Sequence, residues 1–94
     1  MNENQFLTNI LDQYQSLLKK NEINEKIIAA KELLLSQNKK GSKVMFGGNG
    51  ASAAIASHGA LDFTKQANIL SISFNDSAFI TAFANDYGYE HWVE

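Results

Sequence analysis

Val44-Met45-Phe46-Gly47-Gly48-Asn49-Gly50-Ala51-Ser52 joins a short apolar run to a glycine cluster and the start of an alanine-rich segment. An apolar run bounded in this way suits a buried strand. From Ala51 to Lys65 the chain reads as a helix, and Ala53, Ala54, Ala56, Ala60 and Leu61 would let it lie close to a sheet. The glycines between strand and helix allow positive φ and a close approach of backbone to a ligand. The first free N–H groups of the helix and its dipole favour an anion. Asn49 adds an amide and Ser52 a hydroxyl. This chemistry suits a phosphate or a cluster of sugar hydroxyls, at the carboxyl end of a strand where open α/β sheets bind ligands. A strand-to-helix turn also needs glycine for purely structural reasons.

Downstream, Ile69 to Phe74 reads as a second strand, with Ser71 and Ser73 between apolar residues. Asn75-Asp76-Ser77 forms a turn and a helix start, with Asp76 or Asn75 as the cap. The helix runs from Ala78 to Ala84, Gly88 breaks it, and Tyr89 opens another. Upstream, Phe6, Ile10, Tyr14 and Leu18 recur on one helical face. Asn21 suits the N-cap of a second helix carrying Ile23, Ile27, Ala30 and Leu34. Lys39-Lys40 suit its last turn and Gly41 its C′ position. The order ααβαβα predicts an α/β chain with a helical hairpin over 1–41 and a βαβ unit with parallel strands over 42–94. The hairpin's apolar face packs on its own domain or, in part, on another subunit. Two parallel strands alone make a poor sheet. The expectation is therefore the front part of a larger α/β domain, or an oligomer that completes the sheet.

Composition narrows the function classes. The 94 residues are 45% hydrophobic and 19% charged, a globular balance. Eight Lys, no Arg and ten acids leave a formal charge of −2, against a basic nucleic-acid-binding surface. Without Cys there is neither a disulfide framework nor a thiolate metal site. No apolar run is long enough to cross a bilayer, and the polar start Met1-Asn2-Glu3-Asn4-Gln5 does not resemble a signal peptide. The expected location is cytoplasmic, with no membrane partner.

His58 and Asp62 stand four apart, on one face of the alanine-rich helix. Imidazole and carboxylate can bind a divalent metal or form an acid/base pair, although such spacing more commonly marks a surface or capping pair. Two donors do not close a metal site. Asn85-Asp86 precedes Tyr87-Gly88-Tyr89 and reads as a helix-terminal turn. Phe79, Phe83, Tyr87, Tyr89 and Trp92 read as core, since no Lys is interleaved with them. Gly48-x-Gly50-x-x-Ala53, with Asp76 after the second strand, loosely fits a dinucleotide fingerprint. Its acid comes later than the usual spacing of about 20 residues.

Taken together, the segment 44–52, His58 with an acid at 62, and Ala84-Asn85-Asp86-Tyr87-Gly88-Tyr89 resemble the phosphoheptose isomerase branch of the sugar isomerase (SIS) domain proteins. The resemblance runs along the whole chain. It implies a flavodoxin-like parallel sheet and a homotetramer in which the N-terminal helices help form subunit contacts. It implies isomerisation of sedoheptulose 7-phosphate to the aldoheptose 7-phosphate, a precursor of surface heptose in lipopolysaccharide. By position, Asn49, Gly50, Ala51, Ser52, Asn85 and Asp86 would contact substrate, and His58 would bind zinc. Asp62 falls where the family has a Glu that serves as zinc ligand and catalytic base. The family's Ser-rich phosphate loop and its later Gln and His would lie beyond Glu94, so the expected active site is only partly present and the chain alone is expected to be inactive. The alternative implied by relatives of this fold is a non-catalytic sugar-phosphate sensor or an adaptor for a replication initiator.

Overall fold

The computed structural model describes residues 1–94. The chain is mixed α/β, with four helices and a two-stranded parallel sheet. It divides into two compact units, Met1–Leu33 and Leu34–Glu94.

In the first unit, Asn2 caps α1 (Glu3–Leu18), its side chain accepting from Gln5 N at 2.8 Å. Only Lys19 and Lys20 separate α1 from α2 (Asn21–Lys39). Asn21 is the first residue of α2 rather than the cap expected from its type. Within the chain α1 and α2 make little contact with each other, so their apolar stripes stay open. Neither Lys19 nor Lys20 takes positive φ, so the short link lacks the left-handed residue that commonly reverses a chain so tightly. Neither helix buries a residue, and Leu11, Tyr14 and Ile27 are each more than 60% exposed.

The second unit begins in the last turns of α2, where the chain closes at Gly41 (φ +78) as expected, with Ser42 N donating to Gln37 O at 3.1 Å. Next come β1 (Val44–Phe46), α3 (Ala51–Lys65) and β2 (Ser71–Ser73). The strands pair in parallel with Val44 opposite Ser71 and Phe46 opposite Ser73. β2 is shorter than the apolar stretch 69–74 suggested, but Val44 N still donates to Leu70 O at 2.9 Å.

Helix α3 packs on the sheet through its small residues. Ala56 and Ala60 are buried, and Gly59 lets the Phe46 ring approach to 3.2 Å from where a Cβ would stand. Phe46 meets Phe63 edge-on, their ring centroids 5.3 Å apart. Thr64 Oγ1 donates to Ser71 O at 3.2 Å, which ties the far end of α3 to β2. With Ile69 and Trp92 these alanines form the apolar core, and no large side chain is fully buried.

Asp76, not Asn75, caps α4 (Ser77–Tyr87), accepting from Ala78 N at 2.9 Å. α4 runs three residues further than the sequence pattern suggested, to Tyr87, and Gly88 ends it at φ +95. The segment from Tyr89 is a single 3-10 turn, Tyr89–His91.

Candidate functional site

The glycine turn sits between the end of β1 and the start of α3, as the sequence indicated. Gly50 adopts φ +56 and ψ −125, a conformation side chains avoid. A Cβ on Gly48 would stand 2.4 Å from the Ser52 carbonyl oxygen, so only glycine fits there. The turn is internally braced: Ser52 N donates to Asn49 O at 2.9 Å and Ala53 N to Gly50 O at 3.0 Å. No side chain caps the N-terminus of α3. Asn49, Gly50, Ala51 and Ser52 are all exposed, as a ligand cradle requires.

Two turns into the same helix, His58 Nε2 lies 3.3 Å from Asp62 Oδ2. Their side chains are 71% and 43% exposed, so the pair faces solvent. Asp62 Oδ1 also accepts from Gln66 Nε2 at 3.3 Å, which steadies the carboxylate. The helix thus brings one imidazole and one carboxylate together. No group of three His, Asp or Glu side chains is placed to hold a metal ion. Zinc commonly takes at least three protein ligands. The donors present in this chain therefore do not by themselves fit a complete zinc site.

Asn85 and Asp86 lie in the last turn of α4, not in a turn beyond it. They bond to each other, Asn85 Nδ2 to Asp86 Oδ1 at 3.2 Å, rather than tying down backbone. Asp76, the acid of the dinucleotide fingerprint, caps α4 instead of standing free for a ribose.

Two residues near the turn were not singled out as functional by the sequence pattern. Asn75, two residues beyond β2, donates through Nδ2 to Ala53 O at 3.1 Å and Ser57 Oγ at 2.9 Å, pinning the first turns of α3. Its Oδ1 is buried without a hydrogen-bond partner. Trp92 donates through Nε1 to Asn49 Oδ1 at 2.9 Å, across 43 residues of sequence. Neither contact has a local sequence signal.

No protein-family model matches this chain. Curated proteins do. A phosphoheptose isomerase of Geotalea uraniireducens is 34% identical over 85% of this chain and 47% of its own length. One from Campylobacter jejuni serotype O:6 is 36% identical over 83% of this chain and 46% of its own length. One from Aneurinibacillus thermoaerophilus is 39% identical over 68% of this chain and 34% of its own length. The chain spans less than half the length of these curated relatives. Over that span, the chain is a relative of the phosphoheptose isomerases.

Proposed function

We propose that this chain forms the sugar-phosphate-holding part of an aldose–ketose isomerase acting on sedoheptulose 7-phosphate. The observation that carries this reading is the exposed His58–Asp62 pair on the helix that opens at the Gly-Gly-Asn-Gly turn. An aldose–ketose isomerase moves a proton between adjacent carbons through an enediol, which requires a base near the sugar carbons and donors for its oxygens. Asp62 is the base, held on one oxygen by Gln66 and facing His58 on the other. Residues 49–52 cradle the phosphate or sugar hydroxyls, and Asn85 with Asp86 provides further polar contacts. The relatives' name supports the substrate class. A zinc ion at His58 and Asp62, implied by the resemblance, would need further donors, and the proposed proton transfer does not depend on it.

In the same proposal the chain works as a homo-oligomer, a tetramer by resemblance, in the cytoplasm. The apolar stripes of α1 and α2, left open within the chain, supply the subunit contacts. The resemblance also implies a flavodoxin-like SIS domain, of which the βαβ unit would be the opening part.

Replacing the matching segment of a phosphoheptose isomerase with residues 1–94 tests the base. In that chimera Asp62→Asn should lower turnover about 100-fold, within the range typical of a general base. Unchanged turnover would remove Asp62 from the role. The 94-residue chain alone, with one imidazole and one carboxylate on an open helix face, should bind sedoheptulose 7-phosphate without turning it over.

A non-catalytic sugar-phosphate sensor or initiator adaptor is the second reading. It is favoured by the shorter reach of Asp62 compared with the family's Glu. An inactive chimera that still binds sugar phosphate would select it.

A further inference from the structure

We propose that Trp92 is a positioning residue for the glycine turn: its indole N–H orients the Asn49 amide so that both amide N–H donors face the bound sugar phosphate. This rests on reading residues 49–52 as the ligand cradle. Trp92 is the single tryptophan of the chain and one of its few buried side chains, 6% exposed. An indole nitrogen can only donate a hydrogen bond. Its 2.9 Å contact to Asn49 therefore fixes the amide oxygen toward Trp92 and turns the amide nitrogen away. Asn49 is exposed, and no protein group accepts from its Nδ2. An untethered amide could rotate and present its oxygen, an acceptor, to a phosphate that offers mainly acceptors. Tethering removes that orientation and the entropy of choosing between the two.

The tether has its own support. The Phe74 ring lies 6.1 Å from the Trp92 ring at an interplanar angle of 60°. The same Phe74 ring reaches to 2.7 Å from where a Cβ on Gly47 would stand. Phe74 and Trp92 thus hold the turn at two points, its backbone at Gly47 and its side chain at Asn49. The aromatic pair sets the turn's position, and the indole N–H sets which atoms the turn offers.

The single indole N–H gives one cross-peak in a 15N–1H spectrum of the labelled 94-residue chain, so the contact can be followed directly during titration with sedoheptulose 7-phosphate. In the wild type the cross-peak should shift on titration. In Asn49→Ala it should sit upfield from the start, having lost its acceptor. Asn49→Asp keeps an acceptor for the indole but offers no N–H donors, so the peak should stay downfield while affinity falls at least tenfold. Trp92→Phe keeps a ring against Phe74 but lacks the N–H, and should weaken binding about five- to tenfold with the chain still folded by circular dichroism. An Asn49→Ala indole peak at the wild-type position, or wild-type affinity in Trp92→Phe beside weakened Asn49→Ala, would overturn the tether. Absence of binding by the wild type, or wild-type affinity in Asn49→Ala, would instead overturn the reading of the turn as a cradle.

Discussion

At the residue scale, the turn depends on atoms that glycine lacks. A methyl group at Gly48 would meet the Ser52 carbonyl at 2.4 Å, and backbone cannot swing aside as a flexible side chain can. Gly48→Ala should therefore lower stability by about 1–3 kcal/mol, measured by urea unfolding. Gly50→Ala meets no neighbour, so its cost comes from backbone conformation at φ +56, again about 1–3 kcal/mol. A Gly48→Ala protein as stable as wild type would show that the first turn of α3 can shift freely. Glycine at these positions was legible from residue type alone. Asn49's partner was not, because Trp92 stands 43 positions away and carries no periodic signal linking the two.

At the element scale, α3 is defined by its small face. Alanines at 56 and 60 and Gly59 let it settle on strands of three residues each. Larger residues would lift it away and separate Thr64 from Ser71 O. Helix α4 depends on its cap. Asp76→Ala should cost about 1 kcal/mol, read as a lower melting temperature, whereas Asp76→Asn should cost much less, because it retains the capping oxygen. Equal losses in the two variants would count against the cap. The sequence pattern stops α4 at Ala84 because Asn85 and Asp86 are turn-favouring residue types, whereas the helix runs to Tyr87. Here they satisfy each other inside the last turn, and Gly88 supplies the stop.

At the scale of the whole molecule, the balance of burial is unusual. Its apolar core is Ala56, Ala60, Ile69 and Trp92, while many large apolar residues stay exposed. Contiguous exposed apolar surface marks an interaction face. If α1 and α2 supply subunit contacts, Leu11→Lys should reduce the assembly measured by sedimentation toward monomer. At 66% exposure it should change monomer stability by no more than about 0.5 kcal/mol. An undiminished assembly would place the contact elsewhere. No helix is long and apolar enough to cross a membrane, so these stripes are not transmembrane spans.

Short-range information was enough for the α/β order, the strand at Val44–Phe46, the span of α3 and the 58/62 spacing, because each follows from periodicity, glycine placement or helix geometry. Long-range packing settled what local pattern leaves open. The apolar stripes of α1 and α2 specify that something should cover them without specifying each other, and the Lys19–Lys20 link does not fold one onto the other. Asp76 and Asn75 are equivalent as cap candidates until α3 lies close enough for Asn75 to bond Ala53 and Ser57 instead. The orientation of the Asn49 amide follows only once folding brings a donor-only indole from the far end of the chain to its oxygen.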